Sequence, residues 1–562
     1  MSACRFVRLI LVPLAGLLFV PADRLEAQST NRQIGTQLTA TADPLVSRPS
    51  TRGCVVNLFT GFRFAFFANT AQKYAYVPPA NCTAPWKKIV LSIDFSENAG
   101  RQFDRTAELY LGNTNLYFGT TPEPIRTETN RWHIERDITD YGALLGEPRL
   151  GIMNLQNCTT DCPAPYNTLL TGIFTVSAKI EFFPTAGEGP APRIADMVLP
   201  LVQPNSSGGL NFPAFLFSPN DQLATTFTLP KNIEEAYLDV ISQSQSTDEQ
   251  WFACFPNDLS AINLLYGCGN TDFRETEVMI DGQLAGIAPV SPWVYTGFLP
   301  DQWRPIPAVQ TLDFVPFRVN LTPFSSLLND GQPHTISVSV FNNDSYFSAA
   351  ASLLLYLDRD NRQVTGALTE NTLLPPSPVV SENLQGTSVV SGTIGVTSAR
   401  DSAIRGYVNT SHGEVSTAIA QQQNFSSTQA INFDLVNSTV LDQNTSVQTS
   451  LNTTTTVINN QGTTVTKDGF SFPITVDLVF PVPNSTFGFT VATTQKYRSS
   501  REVWRNGVLT DDVSVTDSVQ ASDAGIPSSS QRYTIFNRKT RSYDCAIASV
   551  NNVLTSVSSG CR

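Results

Sequence analysis

Short runs in which apolar and polar residues alternate strictly recur along this chain, and they leave little room for helices. Phe174, Val176, Ala178, Ile180 and Phe182 alternate with Thr175, Ser177, Lys179 and Glu181, which sends the apolar side chains to one face of an extended strand. Ile89, Leu91, Ile93 and Phe95 repeat the pattern, as do Ile336, Val338 and Val340. Leu353 to Leu357 reads as a strand buried on both faces. Between Met279-Ile280 and Gln283-Leu284 stands Asp281-Gly282, a pair that accepts the positive φ angles of a type I′ hairpin turn. Helix signals are short: Thr139 opens a turn toward Leu145, and Thr322-Pro323 puts proline at a first helical position. Many strands separated by turn residues predict an all-β chain built of sandwiches.

At 562 residues the chain is too long for a single core. Two proline-rich breaks, Pro184 to Pro192 and Leu373 to Pro378, divide it into blocks at 50–185, 195–370 and 380–562. The last block is rich in Ser, Thr, Asn and Gln but keeps runs such as Ile474-Thr475-Val476-Asp477-Leu478. It reads as an accessory β domain rather than disorder.

Residues 1–27 have the layout of a secretory signal peptide: Arg5 and Arg8, an apolar run broken by Pro13 and Gly16, then Leu25-Glu26-Ala27. No lipid-anchor tail follows at the other end, so a secreted protein without a membrane anchor is expected. With Cys4 in the signal, eight cysteines remain, an even set that suits disulfides outside the cell. Pairing sequence neighbours would join Cys54 to Cys82, Cys158 to Cys162, Cys254 to Cys268 and Cys545 to Cys561. Eleven Asn-x-Ser/Thr sequons, from Asn81 to Asn484, fit passage through a secretory pathway. A net charge of -12 argues against nucleic acid as a partner.

No phosphate loop, zinc-protease helix or serine elbow is present. Only three histidines occur, His133, His334 and His412, so neither a metal site nor a histidine base is expected, and no cofactor is implied. An enzyme of this composition would work with carboxylates. Asp104-Arg105 sits at the mouth of an alternating strand in Gln102-Phe103-Asp104-Arg105-Thr106-Ala107-Glu108. By itself such a pair reads as a strand-edge ion pair, worth little if exposed. Glu123 is held between prolines, Asp137 precedes Ile138-Thr139 as a cap, and Asp248-Glu249-Gln250-Trp251 sets acids beside a ring. Trp132, Trp293 and Trp303 with Arg304 offer either sugar-stacking rings or core.

Four segments, in order, resemble the peptide:N-glycosidase A family of secreted glycoamidases. They are Gln102-Phe103-Asp104-Arg105; Thr121-Pro122-Glu123-Pro124 with Trp132 and Arg136-Asp137-Ile138-Thr139; Phe273-Arg274-Glu275 with Val278 to Gly282; and Trp303-Arg304-Pro305-Ile306 leading to Leu321-Thr322-Pro323-Phe324 and Asp330 to His334. A remoter resemblance is to peptide:N-glycosidase F, in which an aromatic-Asp-Arg strand start recurs. The resemblance implies two adjacent jelly-roll-like sandwiches, and hydrolysis of the amide joining N-acetylglucosamine to asparagine in an N-glycopeptide or N-glycoprotein. It implies Asp104, Arg105 and Glu249 as catalytic residues, with Arg105 holding Asp104 ionised. Glu123, Trp132, Trp251, Arg274, Glu275, Trp303 and Arg304 would bind substrate, Arg274 or Arg304 facing the oxyanion. The alternatives are a carbohydrate-binding relative without catalysis, a structural secreted β protein, and a glycosidase acting between sugars.

Overall fold

The computed structural model describes residues 32–123, 125–185, 191–480 and 488–561. The signal peptide expected at 1–27, Pro124, the core of the first proline-rich break and the sequon at Asn484 lie outside them. The alternating runs form strands throughout. In the first half these are β1 (Cys54–Phe64), β2 (Ala71–Tyr76), β3 (Trp86–Glu97), β4 (Thr106–Leu111), β5 (Thr114–Thr120), β6 (Asn130–Asp137), β7 (Arg149–Leu155) and β8 (Phe174–Pro184). They pair into two four-stranded sheets, β1-β8-β3-β6 and β2-β7-β4-β5. The chain thus crosses between layers so that first and last strands are neighbours, the winding of a jelly roll.

A second sandwich repeats this winding. A short β9 (Met197–Pro200) and a small hairpin, β10 (Gln203–Pro204) with β11 (Leu210–Asn211), lead into β12 (Ala214–Leu216). Then follow β13 (Leu223–Thr228), β14 (Ile233–Gln245), β15 (Glu275–Ile280), β16 (Gln283–Pro289), β17 (Phe317–Asn320), β18 (Pro333–Phe341) and β19 (Tyr346–Leu357). Their order, β12-β19-β14-β17 facing β13-β18-β15-β16, is that of β1 to β8 renumbered, with β9 added beside β19. The Asp281-Gly282 turn has φ values of 52° and 80°, as the type I′ expectation requires. The two short helical signals become 3-10 turns, Thr139–Gly146 and Thr322–Phe324, the second running into Ser325–Leu328. Asp137 caps the first, its Oδ1 accepting from the Thr139 N–H and hydroxyl.

The sandwiches meet directly. The loop strand at 311–314 lies along the β5 edge, with Thr120 N donating to Thr311 O and Phe314 N to Phe118 O. A side chain at Gly119 would sit 2.2 Å from Leu312 O, so only glycine permits this approach. All four disulfides join sequence neighbours, one of the many pairings that eight cysteines allow. Two sequons are spent inside the fold: Asn157 and Asn343 are buried, their amides donating to backbone carbonyls.

The last part of the chain forms one twelve-stranded sheet. Its first strand is Thr365–Asn371, on the N-terminal side of the Pro375-Pro376 break, and its longest strands, Val389–Thr410 and Gly413–Asp434, run 22 residues each. Its inner face shares a core with the second sandwich, where Phe425, Leu451 and Phe472 join Trp251 and Phe273. Buried glutamines bolt the two together: Gln429 reaches Cys254 O, Gln495 reaches Pro292 O, and Gln302 reaches Ala521 O. Arg400 pairs with Glu275, which is 1% exposed. Removing one partner of such a pair strands a buried charge. Arg400→Met should therefore lower stability by about 3–5 kcal/mol at pH 9, and by less at pH 5, where Glu275, held up to about 7 even beside Arg400, is protonated with or without its partner; urea unfolding at the two pH values reads the difference.

Candidate active site

Asp104 stands in the loop that enters β4, and the first link in its placement is Gln102. That side chain donates to Cys158 O (3.0 Å) and Gly172 O (3.2 Å) and accepts from Arg105 Nη2 (2.8 Å). Phe103 packs on the Cys158–Cys162 disulfide, with the Arg101 and Arg105 guanidiniums 5.7 Å from its ring. Arg105 and Thr121 exchange hydrogen bonds, Arg105 N to Thr121 Oγ1 (2.9 Å) and Thr121 N to Arg105 O (2.8 Å).

The second sandwich supplies the rest. Thr296 Oγ1 donates to Thr121 O (3.1 Å) and accepts from Glu123 N (2.8 Å). One residue on, the Gly297 backbone lies against the Asp104 carboxylate, and its N–H holds that carboxyl down. From β14, Gln243 Nε2 donates to Thr106 Oγ1 (3.2 Å), and the following turn presents Glu249. That turn is fixed by a fully buried ion pair: Arg274 donates through Nε and Nη2 to Asp248 Oδ1 (3.0 and 2.8 Å), while Asp344 N and Ser345 N donate to Oδ2. Arg304 completes the cluster, donating to Glu123 O (2.6 Å) with Nη2 3.6 Å from Glu123 Oε1, and pairing with Asp301.

The electrostatics follow from desolvation. Burial lifts Asp104 to about 6, against the Gly297 N–H and the charge of Arg105, which pull it down. Burial lifts Glu249 to about 7, with Asp104 adding repulsion and the Gln250 amide opposing. Burial also lifts Glu123 to about 7, opposed by Arg304. Asp104 and Glu249 nonetheless keep a partly exposed edge, so a ligand can reach them. One expectation changes here. Among the described residues no ion pair joins Asp104 to Arg105, because Arg105 turns its Nη2 to Gln102; the carboxylate takes its direction from Gly297.

The structure thus brings Asp104, Arg105, Glu123, Arg304 and Glu249 into one cluster of mutually interacting charges. It takes the aromatic candidates elsewhere. Trp132 stacks on Phe95 at 5.0 Å in the first core, Trp251 lies 1% exposed against Phe425, and Trp303 is 2% exposed. Arg274 is spent on Asp248 and Glu275 on Arg400, which leaves both as positioning groups. Glu97 joins this cluster from outside the four matched segments. It is 1% exposed, both its oxygens lack a hydrogen-bond partner, and burial raises it well above the carboxylate range, with Glu123 repelling it and Arg304 and Arg105 opposing. A signal existed: Ile89, Leu91, Ile93 and Phe95 mark the inward face of β3, and Glu97 continues that series. Gly297 and Thr296 left no such trace.

The family model described as peptide N-acetyl-beta-D-glucosaminyl asparaginase amidase A matches residues 44–373, the span of both sandwiches. The chain belongs to this family. A curated member of the amidase A family, peptide-N4-(N-acetyl-beta-glucosaminyl)asparagine amidase A of Prunus dulcis, is 27% identical over 413 residues, covering 70% of each chain. Among solved structures, one of a peptide-N(4)-(N-acetyl-beta-D-glucosaminyl)asparagine amidase is similar at 14% identity and a TM-score of 0.36, over 54% of this chain and 96% of that one. A recombinant peptide:N-glycanase F has the same coverage and identity, with a TM-score of 0.35.

Within this amidase A chain the raised carboxylates have a measurable consequence. Unfolded Asp and Glu titrate near about 3.9 and 4.3, below Asp104, Glu123 and Glu249 and below Glu108 at about 8. Each group binds its proton more tightly when folded, so its stabilisation is complete below the unfolded value and is lost as pH rises through the folded one. The melting temperature should fall between pH 5 and pH 8. In Asp104→Asn, Glu249 should titrate lower than in the wild type, read by carboxylate carbon NMR.

Proposed function

We propose that this amidase A family member hydrolyses the amide bond between N-acetylglucosamine and asparagine in N-linked glycopeptides and glycoproteins, with Asp104 and Glu249 as its base and acid. The observation that carries the reading is their meeting: one carboxylate from each sandwich, each desolvated, near enough that the charge of Asp104 raises Glu249. Burial raises both carboxylates toward neutrality, where one can take a proton and the other give one. Asp104 takes a proton from water as its oxygen joins the side-chain carbonyl carbon of asparagine. Glu249 gives a proton to the departing nitrogen. The carbon–nitrogen bond breaks, the peptide keeps a carboxylate and so carries aspartate, and the sugar leaves as a glycosylamine that later sheds ammonia to water.

The oxyanion formed on the way calls for a donor in a desolvated place. Arg105 Nε is buried and without a hydrogen-bond partner, while Gln102 holds the other end of the guanidinium. That makes Arg105 the oxyanion donor rather than a partner for Asp104. Arg304, tied to the Glu123 carbonyl, fixes the wall beside it. The catalytic unit in this reading is the pair of blocks 50–185 and 195–370, with 380–562 as its support. The layout of residues 1–27 and the four disulfides favour a secreted protein. Among the described residues no helix is long and apolar enough to cross a membrane.

Incubation with a denatured glycopeptide at mildly acidic pH, followed by mass spectrometry, tests the activity. Peptide converted from Asn to Asp is the expected product; a peptide that keeps its first sugar would overturn the reading. Asp104→Asn should lose roughly 10²–10⁴-fold in rate with its melting temperature at pH 5 retained. Gly297→Ala is a second probe, since the new Cβ would lie 2.2 Å from Asp104 Oδ1 and must displace it. A shift of that size costs about 10²-fold, seen in kcat more than in KM.

A further inference from the structure

Two hollows lie apart from the Asp104 cluster, and neither is lined by Asp104 or Glu249. The first, about 390 Å³, opens between the sandwiches and is lined by Arg136, Asp140, Tyr141, Asp239, Asp313 and Arg318, among others. The second, about 590 Å³, runs between the second sandwich and the inner face of the large sheet. Val315, Pro316 and Arg318 line both, so the two are neighbours and are taken together as one groove. Each falls within the roughly 300–1,000 Å³ of ligand sites. On β14, Asp239 of the groove is four residues from Gln243 beside the cluster, about 13 Å along an extended strand. The Arg136-Asp137-Ile138-Thr139 motif, which the amidase chemistry leaves unused, forms one end of it.

We propose that this groove is a second binding site, for a neutral oligosaccharide. Its first hollow carries a loosely made ion pair: Arg136 Nη1 and Asp313 Oδ1 stand 3.5 Å apart, and neither makes a hydrogen bond. A donor and an acceptor side by side are what a sugar hydroxyl satisfies at once. The second hollow adds rings and hydroxyls. Phe470 packs edge-on to both Phe317 and Tyr497 (5.7 and 5.9 Å), and Thr417, Thr453, Thr455 and Ser499 line the same space. Rings take the C–H faces of sugars and hydroxyls take their oxygens.

Charge selects the class. Arg318 is matched by Asp239 and Asp140, Arg501 by Asp468, Arg136 by Asp313, and Glu235 by Arg193. The lining nevertheless holds more carboxylates than guanidiniums, so an anionic ligand is repelled, while a neutral polyol finds many half-used donors and acceptors. A peptide fits less well. The wall strand through Thr453 to Val457 is paired on both sides, so its backbone has nothing to offer another chain.

The test is calorimetric titration of the full-length protein with a neutral mannose pentasaccharide that contains no N-acetylglucosamine, a probe chosen on the N-glycan reading above. Wild type and Asp104→Asn should bind it equally. Ser499→Trp, which fills the groove from its wall, and Asp313→Asn should each weaken binding at least tenfold with unchanged melting temperatures; Thr455→Trp replaces the first if it fails to fold. Absence of binding to the wild type, or binding that Asp104→Asn abolishes and Ser499→Trp leaves intact, overturns the proposal. So does capture of an unglycosylated peptide that Ser499→Trp blocks while the sugar does not bind. Hydrolysis of a glycopeptide bearing two sugars, run alongside, should be normal in Ser499→Trp. Its absence in the wild type would count against the amidase reading alone.

Discussion

One hydroxyl, that of Thr296, holds the proposed centre together. It accepts from Glu123 N and donates to Thr121 O, and so fastens a loop of the second sandwich to the strand end of the first. Gly297 follows by necessity, and its N–H meets Asp104. Without that fastening the Asp104 loop would face water, its carboxylate would return toward the usual range, and nothing would separate it from Glu249 in role. Each sandwich can fold its own sheets, but neither can desolvate a carboxylate for catalysis alone. The chemistry is therefore a property of the seam.

The large sheet bears on that seam at one remove. Its Gln495 grips the loops of the second sandwich at Pro292 and Val309, and Gln302 of those loops reaches back to Thr493 and Ala521 of the sheet. Pro292 and Gln302 lie within 291–304, the segment that carries Thr296, Gly297 and Arg304. Arg400 closes on Glu275 at the base of the strand that follows Arg274, and Arg274 holds the Asp248 turn that presents Glu249. Charged pairs buried this deeply add little net stability over apolar packing. Their use here is directional, since a guanidinium fork accepts few geometries and transmits its own position to the carboxylate it holds.

Period-two alternation made the fold class legible, and the hairpin at Asp281-Gly282 could be read from local sequence; the cysteine set left the disulfide connectivity open. The jelly-roll winding came only through the family resemblance, because which strand lies beside which is decided by packing across sheets rather than within a run. The site was half legible. Asp104, Arg105, Glu123, Arg304 and Glu249 share a cluster, but Trp132, Trp251 and Trp303 are core residues. Indole rings carry the same appeal for a sugar and for a core, and one sequence gives no means of telling which face is free. Arg274 and Glu275 fit the same account: ionic residues in a motif, but directed inward. Gly297 was invisible because its importance lies in the Cβ it lacks.

The least expected result is that Arg105 does not pair with its neighbour. Adjacent residues on an extended segment point to opposite faces, so an Asp-Arg dipeptide is poorly built for a contact between its own side chains. Asp104 faces the second sandwich and Arg105 faces Gln102. Arg105 still lowers Asp104 through space, yet burial outweighs it, and the carboxylate ends high rather than low. Had the ion pair formed, Asp104 would be a permanently charged and weakly basic group with its lone pairs spoken for. In the proposed mechanism, separation leaves Asp104 its lone pairs for water, with a basicity raised by burial, and leaves a guanidinium nitrogen unspent. Adjacent in sequence, the two side chains leave the loop in different directions.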